Sequence, residues 1–152
     1  MNKHERKSLE NVEATIEAIR KVNRDIKNYY WMANQITHND VEYYISSTTA
    51  RYGIEASLPK AVGSNSDPTY GAVQRKLRDE DRIKRYVETV KRLEEAVATL
   101  EDEKERMVIE GCMDRLSLSQ IGRMLGISRQ AVFEIKEKAV KKLAVKMYLN
   151  DT

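Results

Sequence analysis

The chain has 152 residues, 34% of them charged and 7% aromatic, with six glycines and two prolines. That length holds one good core or two small modules, and the composition suits a mostly helical protein with long exposed helices. One cysteine (Cys112), a net charge of only +3 and no apolar run of bilayer length argue against a disulfide framework, a globally basic protein and a membrane span.

Residues 5–35 have the period of one helix. Leu9, Val12, Ile16, Ile19, Asn23, Ile26, Tyr30 and Ala33 recur at alternating spacings of three and four, a heptad seam over about four repeats. Asn23 is polar within it. Such a residue fixes register or partner number in a coiled coil, or bonds locally on an amphipathic helix of a globular core. Residues 46–71 differ in character: they carry the Ser/Thr clusters, three of the six glycines, Pro59 and Pro68. The stretch Gly63 to Gly71 reads as loop by composition. Tyr29, Tyr30, Trp31, Tyr43, Tyr44, Tyr52 and Tyr70 gather around this connection, either to close the open end of a helical pair or as a contact patch for another protein.

A second seam follows at Ile83, Tyr86, Val90, Leu93, Val97, Leu100, Lys104 and Met107. The two seams suit an antiparallel pair within one chain or packing across a homo-oligomer. With no proline or glycine before Gly111, the second seam is expected to run almost continuously into a supporting helix over 101–115. There Met107, Val108, Cys112 and Leu116 would cover the next segment. Asp79-Glu80-Asp81 reads as a solvated helix start rather than a metal site.

Residues 118–137 carry the most informative pattern, two short helices joined by a tight turn. Gly126 falls where the chain needs a left-handed residue, and Gly122 where the second helix must come close. Ile121, Leu125, Ile127, Val132 and Ile135 fall at inward positions. Ser117 and Gln120 form a capping box, and Ser128 caps the second helix. This is the pattern of a DNA-reading helix-turn-helix, whose second helix enters the major groove. On that helix Arg129, Gln130, Phe133, Glu134 and Glu137 share one face. Arg129 suits guanine, Gln130 adenine, Phe133 a thymine methyl and Glu134 cytosine N4; Arg129 suits a phosphate equally, and Glu134 an intrahelical pair with Lys138. Ser119, Gln120, Ser128, Lys136 and Lys138 complete the expected DNA-binding set. Lys141, Lys142 and Lys146 continue the basic run, while Val140, Leu143, Ala144, Met147 and Tyr148 form an apolar stripe for core or dimer contact. Residues 115–152 hold eight basic and three acidic side chains, against nineteen and twenty-one in the 114 before them. Positive potential therefore concentrates on the C-terminal module.

The only histidines, His4 and His38, lie far from Cys112 in sequence, so no zinc-ligand spacing exists. Nor is there a phosphate-binding glycine loop or nucleophile elbow. No catalysis, cofactor or metal is expected.

Residues 103–143, with Glu-Lys-Glu-Arg-Met-Val-Ile-Glu near the start, Leu-Ser-Gln-Ile-Gly-Arg-Met-Leu-Gly-Ile-Ser-Arg-Gln-Ala-Val-Phe in the middle and Lys-Ala-Val-Lys-Lys-Leu at the end, resemble region 4 of bacterial sigma-70 factors. That resemblance implies promoter-type DNA recognition, with Arg129, Gln130, Phe133 and Glu134 at base-reading positions. Phe133 replaces the polar residue usual there, which points to a dedicated operator. The rest of the chain lacks the part that sigma factors use to melt the −10 element. In architecture and length it looks like the phage late transcription activators of the RinA and ArpU type. The expectation is an all-α protein: a helical oligomerisation or partner-binding region over 1–100, as a long pair or coiled coil with a loop at about 46–71, and a helix-turn-helix domain over 101–152. Its expected role is a transcription activator of phage or prophage late genes. It would bind double-stranded DNA and bacterial RNA polymerase in the cytoplasm of the host cell. The alternatives are a phage small terminase subunit that recognises DNA for packaging and a sigma-like subunit active only on core polymerase.

Overall fold

The computed structural model describes residues 3–48 and 68–149, all in helices and short turns. In chain order these are α1 (Lys3–Thr48), α2 (Pro68–Ala98), α3 (Glu103–Met113), α4 (Leu118–Leu125) and α5 (Arg129–Ala144), which widens into a π-helical turn over Val145–Leu149. Helix α1 outruns the expected end near residue 35 because no glycine or proline interrupts the chain there. Pro68 opens α2 at the first helical position, where its missing N–H costs nothing. Pro68–Gly71 is therefore helical, not loop, and Asp79 lies three turns into α2, paired with Arg82 at 3.5 Å. Expectations for the loop residues 49–67 and the side chains of Leu9, Tyr43, Tyr44, Tyr52 and Tyr70 fall outside the described residues.

Helices α1 and α2 pair within the chain and run antiparallel. Tyr29 donates its hydroxyl to Glu94 Oε1 at 2.6 Å, and the Trp31 ring meets Tyr86 edge-on at 5.2 Å. Further along α1, His38 and Asn39 share a cleft with Asp79 and Arg82. The α2 seam faces inward as expected from Ile83 to Leu100. The α1 seam is rotated by about one position: Ala18, Val22, Ile26 and Met32 are buried, while Val12, Ile16 and Tyr30 are exposed. Asn23 is half-buried and donates to the Ile19 carbonyl at 3.1 Å, the local bond of a globular-core helix.

The second seam does not run on into α3. Thr99 Oγ1 donates to the Ala96 carbonyl at 2.6 Å, closing α2. Asp102 accepts from Lys104 N and Glu105 N and caps α3. Between them Arg106 Nη2 donates to the Leu100 carbonyl at 2.6 Å. Three polar side chains thus turn the chain within four residues, and Leu100 stays in register across the turn. Lys104 and Met107, beyond it, are exposed rather than inward.

One core joins the helical pair to the C-terminal helices. Val22 and Ile26 of α1 and Leu93 and Val97 of α2 pack with Ile109 of α3 and Val140, Leu143 and Met147 of the α5 region. The apolar stripe after residue 139 is thereby core. Tyr148 donates its hydroxyl to the buried Asp25 carboxylate, tying the last turn to α1. Tyr29 lies against α2 through Glu94, and the exposed Tyr30 ring has the Arg115 guanidinium, just beyond α3, 5.8 Å from its centroid.

Burial, and next the bond to a carboxylate, pushes the Tyr29 and Tyr148 phenols up to about 12. A phenol whose folded pKa is raised contributes stability that is whole below its unfolded pKa near 10 and is lost as pH rises through about 12. Tyr148→Phe is expected to lower stability at pH 8, because Asp25 loses its donor, yet to flatten the fall between pH 10 and 12. Urea melts across that range measure it; an unchanged slope would detach Tyr148 from the alkaline loss.

Candidate nucleic-acid interface

A small second core builds the reader. Val108, Ile121 and Val132 are buried together, with Cys112, Leu116, Leu118, Leu125, Ile127 and Ile135 around them. Met107, expected in this cover, is on the surface at 42% exposure. Burial pushes the Cys112 thiol up, as fits a small core residue, while the Lys136 charge opposes. A Cβ at Gly111 would come 2.9 Å from Ile121 Cγ1, so α3 and α4 approach closely there.

The turn has the chemistry its residues require. The capping box of α4 is complete: Ser117 Oγ accepts from Gln120 N at 3.2 Å, and Ser117 N donates to Gln120 Oε1 at 2.8 Å. Gly126 ends α4 in the left-handed region at φ 68°, ψ 32°. Ile127 N donates to the Gly122 carbonyl at 2.9 Å, which draws the turn over Gly122. Ser128 Oγ accepts from Ala131 N at 3.1 Å and starts α5.

On α5 the exposed face comprises Arg129, Gln130, Phe133, Glu134 and Glu137, with Val132 and Ala139 buried beneath it. Arg129 has no ion pair or hydrogen bond to a described residue, so its guanidinium is available. Gln130 Nε2 donates to Glu134 Oε1 at 3.2 Å, so these two present one joined amide–carboxylate surface. Phe133 is 44% exposed. Ser119 is exposed on α4, and Gln120 is engaged in its cap.

The lysines divide differently from the expected basic run. Glu105 of α3 is 1% exposed and receives Lys142 Nζ at 2.8 and 2.9 Å and Lys138 Nζ at 3.4 Å. Lys138 therefore pairs with Glu105, not with Glu134. Lys136 is half-buried beside Cys112. Lys138 stays exposed while it pairs with Glu105. Glu105 fixes α5 against α3, a role that sequence reading missed. Its one sequence signal is the Asp102-x-x-Glu105 spacing of a capped helix start. Arg123, exposed on α4, was missed as well; it is the one cation of that helix.

Residues 96–144 match the family model described as Sigma-70, region 4. The match begins in the last turn of α2 and runs to the end of α5. The C-terminal module is a sigma-70 region 4-like helix-turn-helix. A wider likeness joins the chain to an uncharacterized protein, YqaQ, of Bacillus subtilis strain 168. The two are 28% identical over 127 residues, which cover 78% of this chain and 83% of that protein. No solved structure matches. Region 4 is a DNA-binding regulatory module, not an enzymatic one, so the match supports a DNA-binding regulator. Among the described residues no helix is long and apolar enough to cross a membrane, and no three His, Cys, Asp or Glu side chains gather as metal ligands.

Proposed function

We propose that the chain is a sequence-specific transcription activator of phage or prophage late genes, of the RinA and ArpU type, working with bacterial RNA polymerase in the host cytoplasm. The observation that carries DNA reading is the exposed face of α5, with Arg129 unpaired among the described residues and an outward Phe133 on a region 4-like scaffold. Arg129 and the Gln130–Glu134 pair read base edges, and Phe133 takes a thymine methyl. Ser119 and Ser128, at the two helix starts, contact phosphates, and Gln120, whose backbone N–H is spent in the capping box, joins them through its side-chain amide NH2. Lys136 and Lys138 add to the general attraction for the backbone. The region over 101–152 acts as the reader and the region over 1–100 as the polymerase contact or oligomerisation element. Nothing in the fold favours the packaging alternative.

The first test is selection of bound fragments from the source genome against excess competitor DNA at physiological salt. Enrichment of one site upstream of a late or structural-gene promoter is expected. Enrichment beside terminase genes with no promoter would turn the reading to packaging. On the selected site, Arg129→Ala is expected to cost about 1–3 kcal/mol and to relax one base position. Unchanged affinity and specificity in competition binding would remove Arg129 from the reading set.

A further inference from the structure

A second basic surface lies away from the reading helix. Tyr148 is at its centre, its hydroxyl given to Asp25. Lys21 Nζ of α1 sits 5.6 Å from the ring centroid, and the Arg92 guanidinium of α2 sits 5.4 Å from it. Arg24 is close enough to act on the same phenol. Lys146, two residues before Tyr148, lines a groove of about 320 Å³ with Arg92 and Thr99. Four cations from α1, α2 and the last turn therefore meet on one surface. The fold makes this patch, because no run of the sequence places these residues together.

The charge is not neutralised locally. No ion pair joins Lys21, Arg24, Arg92 or Lys146 to a described carboxylate. Asp25, bonded to the neutral Tyr148 phenol, and Glu95, on the groove's rim 3.9 Å from Lys91, offset only part of the four positive charges. The Tyr148 ring lies half-buried beneath these cations, and Met147 belongs to the core. Several cations fixed on one surface suit a phosphate backbone, which is bound through charge. Stacking on the Tyr148 ring holds Lys21 and Arg92 in place before any ligand arrives.

Lys146 is sixteen residues beyond Gln130, about 24 Å along the helix axis and roughly on its opposite side. A straight duplex read by the start of α5 does not reach it. We infer that Lys21, Arg24, Arg92 and Lys146 form a second phosphate-backbone contact for double-stranded DNA, one that takes duplex flanking the read site as it bends back around the protein. This rests on α5 being the DNA reader.

The test compares the full chain on the selected site in a duplex of about 16 bp and one of about 60 bp, over a salt series. Wild type is expected to bind the long duplex at least tenfold more tightly, with a salt slope steeper by about 2 for two or three extra phosphates. Arg92→Gln with Lys146→Gln is expected to erase that length gain and leave binding to the short duplex unchanged. Circular dichroism melting confirms that the variant folds. Equal wild-type binding to both lengths, or a variant that keeps the gain, overturns the second contact. Variant loss confined to polymerase binding gives the patch to an acidic protein and overturns it too. Failure of wild type to bind the short duplex removes the reader, and the second contact with it.

Discussion

Leu93→Ala is expected to cost about 2–5 kcal/mol and to bring down the helical pair and the DNA reader in one transition. Leu93 is fully buried, in the cluster that takes side chains from α1, α2, α3 and α5. Removing three methyl-sized groups there leaves a cavity that four long helices cannot collapse without losing contacts elsewhere. The reader has its own small core around Val108, Ile121 and Val132, but α5 belongs to both clusters through opposite ends. The loss should therefore spread. Two thermal probes measure it: Trp31 fluorescence for the helical pair and DNA binding for the reader. Coincident midpoints, both lowered, are expected in the variant. A reader that still binds DNA above the midpoint of the helical pair would mean that the shared core does not couple them.

The sharing of α5 also explains what the sequence made legible. The α2 seam was readable residue by residue from Ile83 to Leu100, because α2 shows one narrow stripe to the core. Helix α1 packs against α2, α3, α5 and the last turn together. Its buried face is wider than a heptad stripe and centred on Val22 and Ile26, so a search for alternating threes and fours settled on the neighbouring row with Ile19 and Asn23. The turn between α2 and α3 was hidden for a related reason. Periodicity reports apolar positions, and Leu100 keeps its place while Thr99, Asp102 and Arg106 bend the backbone around it.

Within the site, local chemistry was legible and distant pairing was not. Both caps, the left-handed glycine and the outward face of α5 follow from neighbours within four residues. The partner of Lys138 and Lys142 lies more than thirty residues away, at Glu105. Counting charges along α5 made those lysines a DNA-facing run, whereas a buried carboxylate on α3 takes two of them. Glu105 is buried while both lysines reach solvent, so burying its charge offsets much of the attraction, but the pairing orients one helix on another. The cations around Tyr148 escaped for the same reason, since residues 21, 24, 92 and 146 meet only in three dimensions.

Gly122 and Gly126 are expected to fail in different ways, although both belong to the same turn. At Gly122 a Cβ would come 2.7 Å from the Ile127 carbonyl oxygen, a backbone atom held by its own turn. Nothing flexible can give way, so Gly122→Val must open the angle between α4 and α5 or break the turn. A loss of about 3 kcal/mol is expected, with specific DNA binding lost alongside it. At Gly126 a Cβ would meet nothing within 4 Å, and only the backbone angle objects. Gly126→Ala is expected to cost about 1–2 kcal/mol, the ordinary cost of a left-handed residue with a Cβ. Gly126→Asn should cost less, because asparagine tolerates that conformation. Urea unfolding of the three variants, with binding to the selected site, gives the ranking. If Gly126→Ala proved more damaging than Gly122→Val, the close approach at Gly122 would not be what sets the geometry of the reader.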